Sequence, residues 1–331
     1  MKILIVASFT NKKFSPFVTQ QVETMETLGF EFEYFGITGK GVLGYLTNRT
    51  KLIRKIKAFK PDIIHAHYGL SGLLANLQRR IPVVTTFHGS DIHSSKRILF
   101  LSRIAMFLSS YNIFVAQSLY NIAKYNGRNF IIQSCGVDIS LLKPVPSKIA
   151  RAYFGWDQTK IYILFSGSFD NQVKNYLLAK QSVELVEDCK LVELKGYTKE
   201  QVGLLMNACN LLLVTSFRES GPLVVKEAMA CNRPIVTTDV GDVRWVIGDT
   251  DGCYITSYDP AECGEHIRKA IDFSLKNKET NGRERISQLG LDTRDVMTKI
   301  VGVYTKIYRN NRIGSTTNAL DMLRVSKDFS I

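Results

Sequence analysis

Two glutamates flank a short turn in FRESGPLVVKEAMA, residues 217–230. Glu219 follows the strand-like run NLLLVTS and reads as a loop residue. Glu227 falls inside the helix-like run that comes next. Ser220, Gly221 and Pro222 lie between them. A glycine lets backbone come close to a ligand, and Pro222 fits the first turn of a helix, where a missing N–H costs nothing. The N–H groups of Leu223 and Val224 then face out of a helix start, which attracts phosphate. Glu227 sits roughly 7.5 Å further along the helix axis. Three chemistries use two such carboxylates: solvated charge, the acid pair of a hydrolase, or grips on a polyhydroxylated ligand. Carboxylates beside a phosphate repel it unless they accept hydrogen bonds from hydroxyls. A sugar nucleotide carries hydroxyls on both sides of its diphosphate, so the third chemistry fits the stretch best.

The elements that must position these residues alternate along the chain. Strand-like runs (KILIVAS, FEFEYFGI, DIIHAH, IPVVTTF, NIFVAQS, NFIIQS) take turns with helical spacing through the first half. LLKPVPSK, residues 141–148, holds two prolines and no apolar period, and reads as a linker. The alternation restarts with KIYILFSGSF and continues through KLVELKGY, NLLLVTS and RPIVTTDVG. This pattern predicts an α/β protein of two doubly wound domains, each a parallel sheet covered on both faces. Ligands in such sheets bind beyond the carboxyl ends of the strands, so a central cleft faced by both domains is the expected site.

Composition narrows the classes. The 331 residues suffice for two cores. The apolar run Ile3–Ala7 is too short for a secretory signal and reads as a first strand. The stretch 98–116 is the most apolar of the chain but carries Arg103, Ser102, Ser109, Ser110 and Asn112, which argues against a bilayer span. Six cysteines show no C-x-x-C spacing and read as cytosolic thiols. Residues 1–143 hold 18 Lys/Arg against 7 Asp/Glu, whereas the remainder holds 25 against 23. Between Lys40 and Lys60 stand seven basic residues and no acidic one. A basic first half and a near-neutral second half point to two different partners, with an anionic membrane surface ahead of nucleic acid, for which no motif is present.

Together, DIIHAHYGLSGLLA, TTFHGSDIH, QSCGVDISLLKP, ILFSGSFDNQVKN and FRESGPLVVKEAMACNRPIVTTDVG resemble, in order, the motifs of the retaining glycosyltransferases of family 4, which have the GT-B fold of two Rossmann-like domains. The resemblance covers most of the chain. It implies an acceptor domain over 1–143, a nucleotide-sugar donor domain over 144–300, and a C-terminal helix and tail over 301–331, expected to pack back on the first domain. By the same resemblance Glu219 accepts from donor-sugar hydroxyls, with Ser220, Gly221, Pro222, Leu223 and Val224 alongside, and Glu227 holds the ribose. Lys174 neutralises the departing diphosphate, with Ser168 and Asn175 on the donor side. His88 lies near the transferred sugar, and Asp91 completes its motif on the acceptor or sugar side.

The implied reaction moves a hexose from a UDP-, GDP- or ADP-sugar to a glycan or lipid-linked hydroxyl, with retention. It needs no metal or other cofactor. The implied setting is cell-surface polysaccharide assembly in the cytoplasm, peripheral at the inner face of the membrane. Two departures stand out. Many relatives carry arginine where this chain has Ser168, and a Gly-Gly loop where it has SFTNKKFSPF, residues 8–17. Arg218, close in sequence to the site, is a candidate replacement cation. Ser168 also motivates the alternative of an inert nucleotide-sugar-binding protein. His65 and His67 are expected to be structural, with one of the two facing the cleft. Asp249 and Asp251 read as a turn and not as a metal-binding pair.

Overall fold

The computed structural model describes residues 1–9, 13–26, 29–39, 41–277 and 279–325. Residues 10–12 of the SFTNKKFSPF stretch, Lys40, and 326–331 of the tail lie outside them. The chain divides into two compact units. Of the described residues, unit one comprises those within Met1–Val115, Leu119–Gln133 and 297–325, and unit two those within Ala116–Ser118 and Ser134–Val296.

Unit one carries six strands: β1 (Lys2–Ser8), β2 (Glu31–Ile37), β3 (Ile63–His67), β4 (Val83–Phe87), β5 (Tyr111–Phe114) and β6 (Phe130–Ile132). They form one sheet in the order β2-β1-β3-β4-β5-β6, and every pairing is parallel. Parallel strands need crossover connections, and the helical segments between the strand runs supply them. Strand order reverses between β1 and β3, so the carboxyl ends of these strands flank a crevice.

Unit two carries β7 (Ile161–Phe165), β8 (Cys189–Glu193), β9 (Leu211–Val214), β10 (Ile235–Thr238) and β11 (Cys253–Thr256). The sheet order is β11-β10-β9-β7-β8, again all parallel, with its reversal between β7 and β9. Alternate residues of β7 enter different cores. Tyr162 and Leu164 pack with Leu212 and Val214, while Ile163 and Phe165 pack with Leu211 and Leu213. Both faces are therefore covered, which is why these strands read as continuous apolar runs.

The proline-bearing stretch 141–148 belongs to unit two and is bonded to it. Asn207 accepts from Val145 N at 2.9 Å and donates to Lys143 O at 3.0 Å, and Arg283 donates to Leu142 O at 2.8 Å. Proline lacks an N–H, but the carbonyls of this stretch still need donors, and buried side chains of unit two provide them. Unit one accordingly ends earlier than residue 143, at Gln133, just past β6. All six cysteines are free, and burial pushes every thiol above its ordinary range, Cys231 and Cys253 to about 12. Among the described residues no helix is long and apolar enough to cross a membrane.

Candidate active site

The two loops that leave β7 and β9, the strands at the reversal of the second sheet, carry most of the residues singled out above. After β7 the chain makes a short 3-10 turn, Gln172–Lys174, started by Asn171, whose side chain accepts from Val173 N at 3.1 Å. Asn175 follows in the left-handed region at φ 53° and caps the helix Tyr176–Glu184 by accepting from Leu178 N at 3.4 Å. From the β9 side, Thr215 donates its hydroxyl to the carbonyls of Lys174 and Asn175 at 2.9 and 3.0 Å, and Phe217 N donates to Val173 O at 2.9 Å. The two loops thus hold each other in place.

Their bonding brings Lys174 Nζ to 2.7 Å from Glu219 Oε1. Both side chains are four-fifths buried, and Ser216 donates to the same oxygen at 2.9 Å. The aliphatic part of Lys174 lies over Gly167, where an added Cβ would stand 3.1 Å from Lys174 Cγ and Cε. A glycine at that point lets the lysine lie flat across the strand end.

The Ser220-Gly221-Pro222 turn is packed from behind. A Cβ on Gly221 would meet Asp242 Oδ2 at 2.9 Å, so the space its missing side chain leaves is filled by a protein carboxylate. Gly241 has φ +63°, and a Cβ there would strike Ser220 O at 2.5 Å. Pro222 sits one position before the helix Leu223–Ala230, with φ −64° and ψ 113°, and no side chain caps that helix start. Asp242 in turn pairs with Lys226 Nζ at 3.1 Å and accepts from Ser134 at 2.5 Å, while Lys226 reaches Ser134 at 2.7 Å. Lys226 is fully buried. Sequence reading passed over Lys226, Asp242 and Ser134, because a lysine inside a helix run carries no sign of burial.

Part of the Glu227 side chain still meets solvent, but protein surrounds its carboxyl. Burial pushes this carboxyl up to about 7, against the pull of Lys199 and Lys226. At Ser168, the expected arginine position, the surroundings are acidic. Its hydroxyl donates to Asp170 and, at 3.0 Å, to Glu193, which also accepts from Phe169 N at 2.7 Å. Lys195 pairs with Asp170 at 3.1 Å. Arg218 is exposed and makes no ion pair among the described residues.

Unit one gathers the histidines. His65 and His67 are both fully buried with rings stacked at 4.5 Å, which corrects the expectation that only one turns toward the site. Residues two apart on a strand share a face, so the pair points one way. His65 Nε2 lies 2.7 Å from Thr86 Oγ1, and its Nδ1 lies 2.5 Å from the Tyr304 hydroxyl. His67 Nδ1 lies 3.0 Å from His88 Nε2, whereas His67 Nε2 is buried without a partner among the described residues. An orphaned buried N–H is rarer and costlier than an orphaned lone pair. His67 therefore donates through Nδ1, and His88 keeps its proton on Nδ1.

Burial holds all three imidazoles below their ordinary range, His67 at about 3, so each is neutral at physiological pH. His88 offers hydrogen bonds and not charge. Phe17 and Tyr68 pack on its ring at 4.3 and 4.8 Å. Asp91 is buried and inward-facing: it accepts from Gly69 N at 3.0 Å and Gly89 N at 2.8 Å, tying the loops after β3 and β4 together. Burial raises its carboxyl to about 6 despite those bonds. Asp249 and Asp251 lie in the turn before β11.

Two parallel-sheet Rossmann-like units give the chain the GT-B architecture. Residues 21–140 match the family described as Glycosyltransferase Family 4, and residues 145–272 match Glycosyl transferases group 1. The chain belongs to the family 4 glycosyltransferases. It is 25% identical over 280 residues to an uncharacterized glycosyltransferase of Methanocaldococcus jannaschii, covering 73% of this chain and 75% of that one. It is 21% identical to a D-inositol 3-phosphate glycosyltransferase of Nocardioides, covering 72% and 66%. A Bacillus subtilis glycosyltransferase named for teichuronic acid biosynthesis is 26% identical, covering 57% of this chain and 56% of its own length. In fold the chain is similar to sucrose-phosphate synthase of Thermosynechococcus elongatus, with a TM-score of 0.79, 15% identity, and 93% and 99% of the two chains covered. It is similar also to HepE of Anabaena solved with UDP and glucose, with a TM-score of 0.71, 18% identity, and 92% and 100% covered.

Proposed function

We propose that the protein transfers a hexose from a nucleotide sugar to a hydroxyl of a glycan or lipid-linked acceptor, with retention and without a metal. The observation that carries this reading is the Lys174–Glu219 pair at 2.7 Å, held beside the uncapped start of the helix Leu223–Ala230. A diphosphate at that helix start draws the lysine to itself and releases Glu219 to accept from sugar hydroxyls. Glu227, further along the helix, accepts from the ribose. HepE was solved with UDP and glucose, which makes a uridine nucleotide the first donor to try.

In the reaction the bond from the anomeric carbon to the phosphate oxygen breaks, and one to the acceptor oxygen forms on the same face. The departing phosphate oxygen takes the acceptor's proton. Position and charge stabilisation supply the rate, with Lys174 and the helix start meeting the charge that develops on the phosphate. His88, as a neutral Nδ1–H donor, orients a sugar oxygen. The preferred setting is surface polysaccharide assembly at the cytoplasmic face of a membrane. The exposed cations Lys51, Arg54 and Lys57 on the helix Arg49–Phe59, which sinks Leu52 and Phe59 into the core, favour an anionic surface there.

The test is nucleotide release from a panel of UDP-, GDP- and ADP-sugars, repeated with Lys174→Ala and Glu219→Gln. Removing one such charge-stabilising donor costs roughly 10²- to 10³-fold in turnover. K174A is expected to lower kcat by about that factor and to change donor affinity far less. Full activity in both variants overturns the assignment. The acidic surroundings of Ser168 favour a second reading, an inert nucleotide-sugar-binding protein. Donor binding with no turnover on any acceptor would select it.

A further inference from the structure

One exposed stripe of unit one has no role in the chemistry above. The helix Lys96–Leu108 buries Ser102, Ala105 and Met106. Its other side presents Lys96, Phe100, Arg103 and Phe107, spaced four, three and four residues apart. That spacing places them on one face. Phe107 is 86% exposed and Phe100 63%, values that a soluble surface rarely gives two phenylalanines on the same face.

A cavity of about 580 Å³ opens beside Phe107, lined also by Arg103, Met106, Lys124, Tyr125 and Arg128. Arg103 anchors one wall by donating to Ala123 O at 3.0 Å. Lys124 and Arg128 make no ion pair among the described residues. From residue 92 to residue 137 the chain holds five Lys/Arg and no Asp or Glu. Aromatic rings that point outward, among the cations of a segment that itself holds no acidic residue, match a surface that is apolar below and anionic at its edge.

We propose that this stripe and its cavity form a docking face for an anionic bilayer. The two phenyl rings enter the interface, and Arg103, Lys124 and Arg128 take lipid phosphates. Charge complementarity selects the anionic surface, and the exposed rings select a bilayer over a soluble phosphate. The proposal takes only its setting from the glycosyltransferase reading, because docking requires none of the residues placed in the site.

The experiment is vesicle sedimentation with the full chain. One set of vesicles is phosphatidylcholine alone, and the other is phosphatidylcholine with an equal part of phosphatidylglycerol. Nucleotide release from the donor sugar is followed separately, without membranes. Wild type is expected to partition to the anionic vesicles. F100S/F107S should reduce that partition about 10-fold or more. K124Q/R128Q should reduce it about 25-fold, at about 5-fold per cation, and the loss should shrink as salt is raised. K51Q/R54Q/K57Q should leave the dependence on the phenylalanines intact. Release without membranes should be unchanged in F100S/F107S and K124Q/R128Q.

Partition unchanged by F100S/F107S would overturn the docking face. So would binding of inorganic phosphate, or of a single-stranded oligonucleotide, without binding of vesicles. Vesicle binding that depends on the phenylalanines, in a protein that releases no nucleotide, would uphold this face and sink the reaction instead.

Discussion

At the scale of single residues the site combines legible parts in a way the sequence does not spell out. Glu219, Glu227 and Lys174 could be singled out from motif and spacing. The contact between Lys174 and Glu219, 45 positions apart, follows only from β7 and β9 being neighbours in the sheet. On the proposed reading, Ser168 leaves the phosphate side short of one cation. Arg218, exposed and close in sequence to Glu219, is the cation proposed to supply it. R218A should lower kcat about 10-fold and leave the unfolding midpoint unchanged, since surface substitutions cost little stability. Steady-state kinetics with thermal melts will decide, and unchanged kcat means that Lys174 acts alone. Glu227 gives a separate, stability-based test. Its carboxyl is raised to about 7, so the folded protein holds a proton that the unfolded chain releases above about 4.5. Stability contributed by the protonated form is therefore lost as pH rises through 7. E227Q, which cannot ionise, should gain in melting temperature over wild type between pH 5 and pH 8. Parallel melting curves across that range would count against a buried carboxyl.

At the scale of elements, the helix Leu223–Ala230 is fixed from beneath by Lys226, Asp242 and Ser134, and the turn before it leans on Gly241 and Asp242. This support explains why the turn reads Ser-Gly-Pro. Gly221 is small because Asp242 comes within 2.9 Å of where its Cβ would be, although the sequence suggested a place for ligand. The strands were legible because both faces of each sheet are covered, leaving uninterrupted apolar runs. The short helices Val243–Ile247 and Gly282–Gln288 were not, since neither is long enough to show a period. Composition marks 141–148 by its prolines but does not show that Asn207 and Arg283 bond its backbone to the second unit. K226A would strand the Asp242 carboxylate in the interior. Breaking such a buried pair costs about 3–5 kcal/mol. Chemical denaturation should show that loss, and a change below about 1 kcal/mol would mean that water reaches Asp242.

At the scale of the whole molecule, buried titratable groups govern behaviour in acid. His65, His67 and His88 are neutral in the fold, with their ring nitrogens pushed down by burial. The unfolded chain binds those protons near pH 6.5, so the stability of the neutral imidazoles is full above 6.5 and is lost as pH falls below it. Each contributes a slope of up to about 1.4 kcal/mol per pH unit. Asp91, raised to about 6, and Glu227, raised to about 7, work in the opposite direction over about pH 4 to 6 and about pH 4.5 to 7, and offset two of the three. The unfolding midpoint should drop from pH 6.5 to 5 with the net slope of about one imidazole, and H67Q should flatten the drop. A pH-independent midpoint over that range would mean that the imidazoles are already open to protons. The six cysteines have a practical bearing on the same molecule. With every thiol held away from its reactive thiolate, the native protein should consume maleimide or iodoacetamide slowly. F107C would then be labelled selectively without first removing the natural cysteines. An environment-sensitive dye at that one position would report by its emission colour whether the helix face lies in water or in lipid, in the unmodified background of the chain.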